Sequence, residues 1–236
     1  MNEIIRKRKS IRKYSMHGLD AATLEQVRAQ IAEIEPLYPG IKYSIEIVNK
    51  TKGFGIKAPH YLVFCSEEKD GANENIGFIG QQMDLFFSET GLGSCWLGMA
   101  KPVEKEAGSL PFVVSMAFGL AAEPLHRSLA EFKRKPLSEI CEGADGRLEA
   151  ARLAPSGMNA QGWYFVADGG KIHCYRKKPG ALLGLMAGRL GCIDIGIALC
   201  HIAKESEGFL FKKEEGAPDR KGFIYMGTVN KKGELQ

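Results

Sequence analysis

Residues 6–14, RKRKSIRKY, carry six positive side chains in nine positions. Arg8, Lys9, Ser10 and Arg12 could surround a terminal phosphate, because guanidinium groups make forked hydrogen bonds and a serine adds a hydroxyl. A solvated basic face or a nucleic-acid-binding patch explains the same residues. We favour a small anionic ligand over nucleic acid, since the chain shows no recognised nucleic-acid-binding motif. Further basic clusters occur at 131–136 and 175–178.

A second candidate is the polar stretch LAPSGMNAQGW at 153–163. It joins a helix-like run to a strand-like run through Pro155, Ser156, Gly157 and Asn159, residue types that favour caps and turns. Ser156 lacks the GxSxG pattern of a nucleophile elbow. The stretch therefore predicts a loop that presents hydroxyl, amide and backbone groups to a ligand.

The glycine-rich stretch GLGSCWLG at 91–98 follows an apolar helix-like run. Glycines let the backbone approach a flat ligand, but a helix C-cap followed by a tight turn explains them too, and we favour the cap. Cys95 has no assured histidine partner, so a buried and inert thiol is the favoured interpretation.

The histidines and cysteines predict no metal site. Six cysteines lack CxxC spacing, and five histidines form no HxH or HxxxH pair. His201 lies in the apolar run IDIGIALCHIAK, which favours a core histidine with satisfied hydrogen bonds. We expect Asp194 to cap or pair locally.

These residues must be positioned by helices and strands that the pattern predicts along the whole chain. Asp20 should cap an amphipathic helix, and Gly91 or Gly93 should end a long buried one. The expected strands are KYSIEIVN, HYLVFCS, PFVVSMAFGL, GWYFVA, KIHCYR and GFIYMGTV, and a second long helix follows KIHCYR.

The order of these elements repeats. Glu89-Thr90-Gly91 and Ser206-Glu207-Gly208 lie 117 positions apart, and Gly119 and Gly227 lie 108 apart. Two helix-strand-strand-helix-strand copies would divide the chain into residues 1–143 and 144–236, packed as one compact unit. Chance self-similarity of an α/β chain is the alternative.

Composition restricts the class of protein. The 236 residues are 44% hydrophobic and 25% charged, with a net charge of +4, as in ordinary soluble proteins. No apolar stretch approaches the length of a membrane span, and the N-terminus lacks a signal-peptide core. We expect a cytoplasmic protein with no membrane partner.

Taken together, RKSIRKY, APHYLVF, NIGFIGQQMDLFFSETGLGSCWLG, FKRKPLSEI and APSGMNAQGW resemble the nitroreductase family of FMN-dependent oxidoreductases. The resemblance implies an α+β fold, nitroreductase-like, in which mostly antiparallel central sheets are flanked by helices. It also implies FMN as cofactor, NAD(P)H as reductant and ping-pong hydride transfer through the flavin N5 to a small organic acceptor.

By the same resemblance, Arg8, Lys9, Ser10 and Arg12, joined by Arg134 and Lys133, would hold the flavin phosphate and ribityl chain. Arg12 would stabilise negative charge at the N1/O2 edge of the ring. The residues that would meet the ring are Pro155, Ser156, Gly157 and Asn159, with the backbone of Trp96, Leu97 and Gly98.

The order of motifs departs from the usual one. A typical member has the Pro-Ser-x-x-Asn loop soon after the arginine motif, where this chain has EIEPLYPGIKYSIEIV. The pattern resembles a tandem subfamily in which one chain imitates the usual dimer. It implies a monomer with one flavin, because the second copy lacks the Arg-x-Ser-x-Arg segment. A flavin-binding module without turnover is the alternative, and the acceptor and the choice of NADH or NADPH stay open.

Overall fold

The computed structural model describes residues 2–103, 110–180 and 184–230, with side chains from 188 onward in the third range. The helices are α1 Glu3–Lys7, α2 Ala21–Ala32, α3 Ala72–Glu89, α4 Leu137–Ile140, α5 Leu148–Leu153 and α6 Gly184–Lys204. The strands are β1 Tyr43–Val48, β2 Thr51–Gly53, β3 His60–Ser66, β4 Gly93–Leu97, β5 Ala100–Pro102, β6 Phe112–Gly119, β7 Cys141–Glu142, β8 Trp163–Asp168, β9 Lys171–Lys177, β10 Leu210–Lys212 and β11 Phe223–Asn230.

The helix ends follow the chemistry expected from the sequence. Asp20 caps α2 by accepting a hydrogen bond from the Thr23 amide at 2.7 Å. The helix α3 ends when Thr90 donates its amide and hydroxyl to the Phe86 carbonyl, and Gly91 then turns the chain with φ at 87°. These contacts satisfy terminal backbone groups that would otherwise lack partners.

Two sheets form the framework, and their strands have the same order. The first runs β1-β3-β6-β4, and the second runs β7-β8-β9-β11-β10. Pairing is antiparallel throughout both, apart from the short parallel contact of β7 with β8. The order β8-β9-β11-β10 thus repeats β1-β3-β6-β4, and the predicted α+β class with mostly antiparallel sheets flanked by helices is confirmed.

The two long helices cross between the sheets at a close approach of their backbones. A Cβ on Gly77 of α3 would overlap the Ile193 carbonyl of α6, and a Cβ on Gly196 would overlap the Glu74 carbonyl. Positions 77 and 196 are 119 apart, as are 74 and 193. The crossing is therefore pseudo-symmetric, and one hydrophobic cluster contains residues from both halves.

The predicted repeat unit lacked one strand. A short strand follows each long helix, β4 after α3 and β10 after α6, and the sequence predicted neither. Gly93 is the first residue of β4. A Cβ at this position would collide with the Ile11 side chain, so the glycine permits close packing and does not cap α3. The boundary at 143/144 stays a prediction; β7, just before it, pairs with β8.

No helix within the described ranges is long and apolar enough to cross a membrane.

Candidate functional site

The basic N-terminal segment runs beside β4. Ser10 and Ser94 form a parallel bridge, and the Ile11 amide donates to the Ser94 carbonyl at 2.9 Å. The strand β4 is an edge strand and ends at Leu97. Two predicted motifs, residues 8–12 and 96–98, therefore lie along the same edge of the first sheet.

Arg8 lies at the base of this surface with 1% of its side chain exposed. Its Nε forms an ion pair with Asp84 Oδ2 at 2.8 Å, and its Nη2 donates to Ser10 Oγ at 3.1 Å. Its Nη1 is buried and has no hydrogen-bond partner within the described structure. An unpartnered buried N–H is costly, so this atom is a candidate donor to a ligand.

A buried polar network holds Asp84 in place. Gln81 donates through Nε2 to Asp84 Oδ2 at 2.9 Å and to His201 Nε2 at 3.0 Å, and Ser94 Oγ donates to Asp84 Oδ1 at 2.6 Å. His201 donates through Nδ1 to the Ala150 carbonyl at 2.9 Å, and burial lowers its pKa to about 3. The histidine is therefore neutral with both nitrogens satisfied, which confirms the core interpretation.

The second basic segment and the predicted loop are in direct contact. Arg134 donates through Nη1 to Asn159 Oδ1 at 2.7 Å and through Nε to the Ala154 carbonyl at 3.0 Å. Asn159 Nδ2 donates to the Lys133 carbonyl at 2.9 Å. Residues from two separate motifs of the resemblance, FKRKPLSEI and APSGMNAQGW, are therefore in contact.

Arginines crowd together behind this contact. Arg127 lies 3.6 Å from the centre of the Phe132 ring and donates through Nε to the Arg8 carbonyl. Burial, followed by neighbouring arginines, lowers the pKa of Arg134 to about 9 and that of Arg127 to about 10. Among the described residues no carboxylate forms a salt bridge with Arg127 or Arg134. This positive charge fits an anion.

Lys9 and Arg12 are arranged differently. Lys9 Nζ lies 3.4 Å from Glu123 Oε2 and donates to the Pro124 carbonyl at 3.1 Å. The Arg12 amide donates to Glu123 Oε1 at 2.6 Å and lowers the pKa of that carboxyl. The Arg12 side chain is exposed. The Arg12 guanidinium makes one long hydrogen bond, from Nη1 to the Ser10 carbonyl at 3.4 Å, whereas Glu123 partly neutralises Lys9. Both ligand assignments stay predictions.

The loop after α5 holds an unusual backbone. Met158, Asn159 and Gln161 have φ values of 52°, 57° and 48°, in the left-handed region that costs a non-glycine residue of order 1 kcal/mol. Gln161, which the sequence did not single out, anchors the loop. Its amide donates to Ser156 Oγ at 2.9 Å, and its Oε1 accepts from the Lys135 amide at 2.7 Å.

Asp194 supports the same loop from α6. Its Oδ1 accepts a hydrogen bond from the Gly157 amide at 2.9 Å, and burial raises its pKa to about 7. The expectation of a local cap or pair was wrong, because the partner lies 37 positions away. Only the three-dimensional packing of α6 under the loop reveals it.

The loop and the end of β4 flank the same face of α6. A Cβ on Gly98 would lie 3.7 Å from Leu190 Cδ2, and Leu190 is one helical turn before Asp194. Cys95 in β4 is buried, and burial raises its pKa, which agrees with an inert thiol. The predicted ligand-contacting segments 96–98 and 155–159 therefore lie beside successive turns of α6.

The first half contains an equivalent of the hydrogen bond between the loop and Asp194. The Tyr38 amide donates to Asn75 Oδ1 at 2.9 Å, as the Gly157 amide donates to Asp194. Positions 38 and 157, and also 75 and 194, are 119 apart. Leu37 stands where the second half has Ser156. The two loops share a scaffold, but at these equivalent positions the second half has a serine and a carboxyl where the first has Leu37 and the amide of Asn75.

Nowhere in the described ranges do three or more histidine, cysteine, aspartate or glutamate side chains form a group that could hold a metal ion.

Comparisons with known proteins agree with this architecture. The family described as "Putative TM nitroreductase" matches residues 1–206. The crystal structure of a "putative nitroreductase" from Thermotoga maritima MSB8 is 21% identical, with a TM-score of 0.64 over 97% of this chain and 92% of that chain. At this identity the likeness shows the fold.

Smaller structures match part of the chain. A nitroreductase family protein from Clostridium difficile 630 is 21% identical, with a TM-score of 0.48 over 59% of this chain and 96% of that chain. An "FMN-dependent Nitroreductase" from Clostridium difficile R20291 is 18% identical, with a TM-score of 0.45 over 55% of this chain and 93% of that chain. No curated protein matches the sequence.

Proposed function

Because the chain belongs to the family described as "Putative TM nitroreductase", we propose that it is an FMN-dependent oxidoreductase that uses NAD(P)H to reduce a small organic acceptor. When bound, FMN supplies the hydride chemistry, accepting a hydride at N5 and passing it to the acceptor. The part of the protein is to bind the cofactor, fix its plane and set the charge around it.

The arginine cluster fits the phosphate of FMN. Arg8 offers a buried N–H without a partner, and among the described residues no carboxylate forms a salt bridge with Arg127 or Arg134. A phosphate dianion would accept forked hydrogen bonds from such guanidinium groups and remove their mutual repulsion. Ser10 adds a hydroxyl beside Arg8.

The supported loop fits the ring edge. Hydrogen bonds to Arg134, Lys133, Lys135 and Asp194 hold residues 156–161 in a conformation that isolated backbone disfavours. Such preorganisation lets Ser156 and Asn159 orient a flat ring without reordering on binding. Arg12, whose guanidinium is exposed, is our candidate for stabilising negative charge at the N1/O2 edge.

One observation carries the proposal: Arg134, a member of the arginine cluster, donates to Asn159 of the loop at 2.7 Å. The predicted phosphate site and ring site thus share a residue. The test compares FMN with riboflavin, which lacks the phosphate. Arg127→Met should weaken FMN binding at least about tenfold while changing riboflavin binding little, because the Arg127 side chain donates to the Arg8 carbonyl and not to the loop.

Arg28→Met is the matched control, because Arg28 is exposed and pairs with Glu25 on α2. Equal FMN affinity in both variants would contradict the phosphate assignment. Anaerobic bleaching of the bound flavin by NADH or NADPH tests turnover; flavin that neither nucleotide bleaches would favour the binding module without catalysis.

A further inference from the structure

A two-stranded ribbon next to the end of β4 exposes apolar side chains. It consists of β2 with residues 54–57 and β5 with residues 98, 99 and 103. Phe54 is 79% exposed, Met99 53% and Val103 46%. Single exposed apolar residues are ordinary, but three on so short a ribbon are the mark of a binding surface.

The ribbon is held at a fixed place relative to β4. Gly53 pairs with Ala100, and a Cβ on Gly53 would lie 2.6 Å from the Met99 carbonyl oxygen. A Cβ on Gly55 would lie 3.1 Å from Ala100 Cβ and 3.7 Å from Leu97 Cδ1. The glycines on both sides of Phe54 therefore pack closely against the segment that leads out of β4, next to residues 96–98, which the resemblance implies would meet the flavin ring.

The ribbon is also basic. Lys50, Lys52, Lys57 and Lys101 are exposed, and residues 50–57 and 98–103 contain no aspartate or glutamate. Lys52 donates through Nζ to the Val103 carbonyl at 3.1 Å, which ties the two strands together. Lys57 and Lys101 have no such structural contact among the described residues. A surface of this kind complements a ligand that is both apolar and negatively charged.

We propose that this ribbon is one wall of the acceptor site and that the acceptor is a flat aromatic compound carrying an anionic group, such as a quinone sulfonate or carboxylate. The proposal rests on the proposed function, which it extends to a substrate class. Aromatic stacking on Phe54 would bury apolar area that otherwise faces water, and the lysines would hold the anion. The overall reaction balances as NAD(P)H, a proton and the quinone giving NAD(P)+ and the hydroquinone.

A second copy of the chain is a poorer occupant. A stable protein interface buries about 800 Å² on each partner. Three apolar side chains cannot supply that area, and the surrounding lysines would repel an identical ribbon. The dimensions and charge of the patch suit a small molecule.

The test uses FMN-loaded protein and two probes, 1,4-naphthoquinone and its 2-sulfonate. Their dissociation constants are measured from the change in flavin absorbance of the oxidised protein, and their reduction is then followed with NAD(P)H present. Phe54→Ser should raise both dissociation constants about tenfold. Lys57→Gln with Lys101→Gln should raise only that of the sulfonate, by roughly fivefold.

Matched controls are Leu129→Ser, an exposed apolar residue elsewhere, and Lys178→Gln with Lys221→Gln, an exposed pair on the second half. Equal effects of test and control variants would overturn the proposal, and so would a change from dimer to monomer in Phe54→Ser. Protein that binds no FMN would instead contradict the proposed function, so the two failures are distinguishable.

Discussion

At the scale of single residues, Asp194 and Asn75 show what differs between the two halves. Each accepts a hydrogen bond from a loop amide at 2.9 Å, from Gly157 and Tyr38 respectively. An amide oxygen therefore suffices to hold such a loop. A buried carboxyl at position 194 adds the cost of removing an ionisable group from water. We infer that the carboxyl of Asp194 makes the free energy of unfolding at neutral pH smaller than an amide at this position would.

Asp194→Asn should remove a pH dependence of stability. Burial raises the pKa of Asp194 to about 7, against about 3.9 in an unfolded chain. Between these values the unfolded state binds fewer protons than the folded state, so the free energy of unfolding falls as pH rises from about 4 to about 7. At pH 8 the variant should be more stable than the natural protein by up to about 4 kcal/mol, and near pH 4 the two should converge.

Urea unfolding across this pH range measures the effect, and Asp168→Asn, at an exposed position, is the control. Parallel stability profiles for the natural protein and Asp194→Asn would show that the carboxyl is not desolvated in solution.

At the scale of secondary-structure elements, local chemistry made much of the fold predictable. Asp20 and Gly91 lie where the sequence placed the start of α2 and the end of α3. All six strands expected from apolar patterning occur as β1, β3, β6, β8, β9 and β11. The short strands β4 and β10 were missed because their pairing depends on distant partners rather than on their own composition.

The candidate site divides in the same way. Arg134 and Asn159 were named from the resemblance, and the structure brings them into contact. Asp84, Gln161 and Arg127 were not named, since their roles depend on packing between segments that are far apart in sequence. A lone buried acid or amide leaves no periodic or spacing signal in one sequence.

The close crossing of α3 and α6 predicts a strong effect of one methyl group. Gly196→Ala would place a Cβ against the Glu74 carbonyl and 2.8 Å from the Phe78 amide nitrogen. The atoms that the new Cβ would meet belong to the α3 backbone, which cannot rotate away as a side chain can. We therefore expect a loss of about 2 kcal/mol or more in the free energy of unfolding. Gly188→Ala lies in the same helix with its nearest neighbour at 3.8 Å and should be neutral or stabilising, as alanine favours helices. Thermal and urea unfolding of both variants give the comparison, and equal stabilities would refute the crossing.

At the scale of the whole molecule, the matching strand orders and the crossing with a spacing of 119 residues support descent from two fused protomers that diverged. The proposed phosphate cluster takes Arg8 and Arg134 from the first half, and the proposed ring loop comes from the second. The equivalent loop of the first half has Leu37 and Tyr38 where the other has Ser156 and Gly157. Divergence has therefore left the serine at this loop position in the second half alone.

This arrangement predicts a monomer with one flavin. Because α3 and α6 of the same chain already form the central helix crossing, a second chain is not needed to complete the proposed flavin site. Light scattering of the FMN-loaded protein should give a mass near 25.9 kDa, and released FMN should equal the chain concentration. Two flavins per chain would show that the first-half loop binds a ring without its serine. A dimer in which Arg134→Met and Asn159→Ala chains restore flavin binding when mixed would show that the site is shared between chains, contrary to the fusion.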